Sequence, residues 1–192
     1  MYTIKNDYEE EINIKNSRFI TVIKKVNDIN EINNIIEEII TKYPKATHYP
    51  YAYIIGDNKR SSDDGEPSST AGTPILNVLE KENITNVIVI VIRYFGGIKL
   101  GTGGLVRAYT KLLKTYIKKE NLISLIPGKR IILSFTYEDQ NKINYLLKDI
   151  NILNKSFNEL IEYEILISNE DINILNNYNY KIIEDLYIEK SL

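Results

Sequence analysis

Apolar and polar residues alternate along Tyr8–Ile14 and again along residues 18–26, with Asn16 and Ser17 between the two stretches. A period of two on either side of a short polar break predicts a β-hairpin. The period then changes. Ile29, Ile32, Ile36, Ile39 and Tyr43 recur at helical spacing, Asp28 and Glu31 stand as in a capping box, and Pro44 closes the segment. Residues 47–55 return to strand character and place Tyr49, Tyr51 and Tyr53 on one face. Residues 56–72 read as one long polar loop, after which Thr73 and Pro74 suit the N-cap and first position of a short helix ending near Asn83.

From Val87 to Ile92 every residue is β-branched and apolar, the pattern of a strand buried on both faces, and Arg93 ends the run with a charge. Glycines follow at 96, 97, 101, 103 and 104, and a long amphipathic helix runs from about Gly103 to Glu120. Ile126-Pro127-Gly128 reads as a domain boundary, dividing the chain into residues 1–126 and 127–192. Beyond it come a strand at 130–136, a helix at 138–149, strands at 152–157 and 160–168, a short helix at 170–178 and a strand at 181–188. This βαββαβ order is ferredoxin-like. The expected class is α+β in two domains.

A buried strand, a glycine-rich turn and a helix start together form a corner where unbonded amides can face an anion. Gly96 and Gly101 have P-loop spacing, but Thr102 stands where that motif needs lysine. Gly101 and Gly103 begin a dinucleotide fingerprint that fails at Val106. Two readings stand side by side: a tight turn with no ligand, or a phosphate site. On the helix, Arg107, Lys111, Lys114 and Lys118 stack into one stripe, opposite Leu105, Tyr109, Leu112, Leu113, Tyr116 and Ile117. That stripe reads either as a solvated face or as a phosphate track leading from the glycine corner.

The stretches Arg93–Gly101 (RYFGGIKLG) and Gly103–Tyr109 (GGLVRAY) resemble the signature of the IMPACT/YigZ family. Ser17–Phe19 (SRF), Ala46–His48 (ATH) and Arg60–Leu76 (RSSDDGEPSSTAGTPIL) match it upstream, in the same order. One departure is that Tyr49 and Pro50 follow His48, where family members often have a polar residue and a cysteine. The resemblance implies an N-terminal domain similar to the second domain of ribosomal protein S5, then a ferredoxin-like domain. That pairing is similar to the fourth and fifth domains of the translocating elongation factor. It also implies a link to translation. Eukaryotic relatives regulate translation under amino-acid starvation by competing for an activator of an initiation-factor kinase, through an additional N-terminal domain without a counterpart here.

Composition narrows the chemistry. The absence of cysteine excludes disulfides, thiolate metal sites and a cysteine nucleophile. The apolar runs are too short to span a bilayer, and the N-terminus has no signal-peptide core, so a cytoplasmic protein without membrane contact is expected. The net charge of −2 conceals an excess of acid after residue 126, where 7 Lys and Arg meet 11 Asp and Glu. Any nucleic-acid contact must therefore come from a local patch. His48 is the single histidine, and no G-x-S-x-G elbow is present. Asp63, Asp64 and Glu66 lack the alternation of a calcium loop and read as a solvated turn. No metal or cofactor is expected.

The leading expectation is a non-enzymatic binding protein that contacts RNA or ribosome phosphates. Its site comprises Arg60, Arg93, Gly96, Gly97, Lys99, Gly101, Gly103, Gly104, Arg107, Lys111, Lys114 and Lys118. One alternative is an enzyme for a small phosphorylated or carboxylated substrate, with His48, Asp64 and Arg60 converging on the glycine corner. Another is a scaffold whose acidic second domain meets a basic protein partner.

Overall fold

A computed structural model describes residues 1–190, so the last two residues of the expected second domain, 127–192, lie outside the described residues. The chain is α+β and divides into two compact units, Met1–Ser124 and the residues from Leu125 on. Among the described residues, no helix is long and apolar enough to cross a membrane.

The first unit runs β1 (Tyr2–Ile4), β2 (Tyr8–Ile14), β3 (Ser17–Lys25), α1 (Glu31–Lys42), β4 (Tyr51–Ile55), β5 (Asn58–Ser62), α2 (Gly72–Lys81), β6 (Val87–Tyr94) and α3 (Thr102–Tyr116). Its sheet has the order β2-β3-β6-β4-β5, antiparallel throughout. The expected hairpin is β2–β3, turned by Lys15 and Asn16 at φ 46° and 63°, the positive pair that matches strand twist.

Alternation along β6 sends its side chains to opposite faces. Val87, Val89 and Val91 pack beneath α2 and α3, whereas Ile88, Ile90 and Ile92 pack beneath α1. Tyr53 joins the α1 layer and Tyr51 packs against it, with the two rings stacked 6.4 Å apart.

Several boundaries differ from expectation. Residues 58–62 are not loop but the edge strand β5. Its sequence, NKRSS, has no apolar signal, and backbone pairing with β4 alone defines it. Ile29 is exposed and precedes α1. Asp28 binds the Asn30 amide instead of closing a capping box with Glu31. Helix α2 starts at Gly72 because Asp63, nine residues earlier, supplies the cap. Its Oδ1 accepts the Ala71 and Gly72 amides at 3.0 and 2.9 Å, and its Oδ2 accepts the Ser69 amide at 2.7 Å.

The second unit contains most of β7 (Leu122–Phe135), then α4 (Gln140–Leu146), β8 (Asn151–Phe157), β9 (Ile161–Ser168) and β10 (Asn179–Lys190). β7 starts eight residues earlier than expected and runs through Pro127 and Gly128 without a break. Leu122, Ile123 and Ser124 pair with β1, and the residues from Gly128 to Phe135 pair with β9. The order β10-β7-β9-β8 is that of a ferredoxin-like sheet. The expected second helix, 170–178, is reduced to a 3-10 turn at Ile172–Leu175. The core is Ile131, Leu133, Phe135, Ile143, Tyr163 and their neighbours.

Gly96 lies so close to the hairpin tip that a Cβ there would stand 2.0 Å from the Asn16 carbonyl oxygen, whereas a Cβ on Gly103 would meet open space. Gly96→Ala is expected to lower stability by about 1–3 kcal/mol through overpacking. Gly103→Ala is expected to be neutral or to raise it by up to about 1 kcal/mol. Urea unfolding midpoints of the two variants check this contrast.

Candidate anion-binding site

Helix α3 begins at a backbone position that glycine favours. Gly101 has φ 72° and ψ 164° and provides no side-chain cap. The first helical bond runs from the Leu105 amide to the Gly101 carbonyl at 2.9 Å, leaving the amides of Thr102, Gly103 and Gly104 without acceptors. Gly97, Gly101 and Gly103 are exposed, and Gly104 is half-buried against Leu100. The turn is held from below: Ser17 Oγ accepts the Gly96 amide at 3.1 Å, and Thr47 Oγ1 accepts the Phe95 amide at 3.0 Å.

A cavity of about 380 Å³ opens at this point. Its polar lining includes Thr47, His48, Glu66, Arg93, Lys99 and Thr102, and Phe95, Leu100 and Leu105 supply apolar wall. Lys99 is exposed and has no ion-pair partner among the described residues.

Arg93 plays a different part from the one expected. Its residue number shares the parity of Val87, Val89 and Val91, so its side chain enters the layer beneath α3, and the residue is only 5% exposed. There Nη1 donates to Glu66 Oε1 at 2.5 Å, and the same oxygen accepts the Tyr109 hydroxyl at 2.6 Å. The guanidinium also lies over the rings of Phe19 and Phe95. Its charge is balanced by Glu66 and is not available to neutralise a phosphate. Burial first, then the bond to Glu66, push the Tyr109 phenol far above the usual tyrosine range.

The remaining expected residues separate. His48 does line the cavity: its backbone pairs with Arg93 on β6. Its Nδ1 lies 2.7 Å from the Asp64 carbonyl oxygen, so Nδ1 carries the hydrogen. The Asp64 carboxylate instead accepts the Tyr49 amide at 2.6 Å, and no histidine–carboxylate dyad forms. Arg60 lies opposite Tyr53 on β5, on the α1 face of the sheet and away from the cavity. The enzyme reading therefore loses two of its three groups. The expected solvated turn is met at Asp64, which is exposed, but not at Glu66, which is buried. The carboxylates of Asp63, Asp64 and Glu66 are each engaged by protein donors.

Along α3, Arg107, Lys111 and Lys114 are exposed and form no ion pair among the described residues. Lys118 is not part of this stripe. α3 ends at Tyr116, where the Asn121 side chain donates to the Tyr116 carbonyl at 2.8 Å, and Lys118 leads into a 3-10 turn. In the second unit, Glu164, Glu184 and Asp185 are paired with Arg130 and Lys129, which reduces the acidic surface open to a basic partner.

The family model for the Impact N-terminal domain matches residues 15–117, which contain the whole cavity. The chain belongs to the IMPACT family. It is similar to IMPACT family member YvyE of Bacillus subtilis, with 36% identity over 185 residues, covering 92% of this chain and 84% of YvyE. It is similar to IMPACT family member YigZ of Escherichia coli, with 41% identity over 101 residues, half of each chain. A crystal structure described as that of a hypothetical protein aligns with a TM-score of 0.63 and 26% identity, covering 95% of this chain and 97% of the other.

In this IMPACT-family chain, the roles of Glu66 and Tyr109 could not be read from the sequence. They meet Arg93 and each other across 27 and 43 residues, and no spacing rule connects them. Glu66→Gln is expected to cost about 3–5 kcal/mol, because it leaves a buried guanidinium without its counter-charge. Tyr109 stabilises the fold fully below the unfolded tyrosine value of about 10, and that contribution is lost as pH rises above it. Tyr109→Phe should therefore flatten the alkaline loss of stability, as measured by urea midpoints at about pH 8 and about pH 10.5.

Proposed function

We propose that this IMPACT-family protein is a non-enzymatic binding protein of translation, working in the cytoplasm and contacting the phosphates of RNA or the ribosome. The observation that carries the reading is continuity. Three unbonded amides open α3, Lys99 stands beside them, and Arg107, Lys111 and Lys114 continue along the same helix as exposed cations unpaired among the described residues. At 1.5 Å per residue, Thr102 to Lys114 spans about 18 Å, enough for several successive phosphates. Support for the link to translation comes from family membership and what that family's eukaryotic members do.

Contacts of this type give affinity without sequence choice and make it salt-dependent. The protein is expected to retain single-stranded RNA on a filter at low salt. Affinity should fall with salt at about 0.7 log units per phosphate engaged. Lys111→Glu with Lys114→Glu should weaken retention and make that slope shallower by about one to two units. Absence of binding at low salt, or binding indifferent to the double reversal, overturns the reading.

A further inference from the structure

The cavity carries more than a phosphate track needs. Its lining includes Lys99 and Thr102, the latter the first residue of α3, and Glu66, whose Oε1 already accepts from Arg93 and Tyr109. Arg93 lines the same cavity, is 5% exposed, and its Nε–H has no acceptor. A buried donor left unmet is uncommon and marks a place where a ligand or a change of rotamer completes the bonding. Phe95, Leu100 and Leu105 add apolar surface, and Phe95 is about half exposed, at 45%. The volume, about 380 Å³, falls in the range of small-ligand sites.

An inorganic anion would use only the donors. An internal phosphodiester would have to enter and leave the cavity on both sides, and it carries a single negative charge. A terminal phosphate has one attachment and up to two charges, which suits a helix start with a lysine beside it. A nucleoside attached to it brings a base whose flat face suits the half-exposed ring of Phe95. We propose that the cavity at the start of α3 is a specific site for a nucleoside 5′-monophosphate group, carried by a free mononucleotide or by the 5′ end of an RNA.

This inference rests on the reading of the corner as a phosphate site, and the test separates the two. The full-length protein is titrated calorimetrically with adenosine 5′-monophosphate, adenosine and inorganic phosphate. It is then titrated with RNA oligomers of about ten nucleotides bearing a 5′-phosphate or a 5′-hydroxyl. The phosphorylated member of each pair is expected to bind about tenfold tighter or more. Tighter binding of the mononucleotide assigns the site to a free nucleotide, and tighter binding of the phosphorylated oligomer assigns it to RNA ends.

Thr102→Pro removes one unbonded amide at a helix position where proline is favoured, and Gly101 before it has ψ 164°, outside the helical region that a following proline disfavours. It should abolish the preference while leaving the urea midpoint unchanged. Lys99→Ala, which alters only an exposed side chain, should reduce it likewise. The Lys111→Glu, Lys114→Glu protein should bind both oligomers more weakly at an unchanged ratio. Equal affinity for phosphate and hydroxyl ends, a preference that survives Thr102→Pro, or inorganic phosphate binding as tightly as the nucleotide each overturns the proposal. RNA that binds without regard to its end leaves the general phosphate reading standing and removes only the pocket.

Discussion

A guanidinium removed from water needs a carboxylate beside it, and in this fold Arg93 and Glu66 meet that need for each other beneath α3. Desolvating two such groups costs several kcal/mol each, so the pair persists only where geometry and further hydrogen bonds are good. Tyr109 supplies one of those bonds from the helix above. Three segments that share no local signal are joined at one oxygen atom: the end of β6, the loop before α2 and the middle of α3. The start of α3, and with it the glycine corner, is positioned by that junction.

The pair also decides where the positive potential of the corner originates. Because Glu66 balances Arg93, the corner owes its field to the α3 amides and to Lys99, with Arg107, Lys111 and Lys114 extending it outward. Arg107, Lys111 and Lys114 lie along one face of α3 in a chain whose net charge is −2. In the function proposed above, a local patch of this kind is what lets an acidic chain hold a polyanion.

Alternation and glycine placement made much of the first unit legible. The β2–β3 hairpin follows from period two, β6 from its unbroken β-branched apolar run, and the glycine corner from five glycines within nine positions. The same period two also contained the fate of Arg93, since a residue in register with Val87, Val89 and Val91 must share their face. The charge on Arg93 reads in the sequence as the end of the strand, yet β6 continues through it to Tyr94. β5 was illegible for a different reason: Asn58–Ser62 has no apolar residue, and its strand character comes wholly from pairing with β4. The cap of α2 by Asp63 and the pairing of Glu66 were hidden because both are long-range contacts. A polar loop facing inward has the same composition as one facing water. Arg60 failed as a site residue through register alone, because its pairing with Tyr53 turns it to the α1 side.

Asp63 and Asp64 hold four backbone amides between them, at Ser69, Ala71, Gly72 and Tyr49. The segment that presents Glu66 and Pro67 to the cavity is therefore stapled along its length to the elements behind it. It is a fixed wall, not a flap. A guest of the kind proposed above would meet a mould already set, surrendering its own freedom but little of the host's, and shape would select it ahead of any rearrangement.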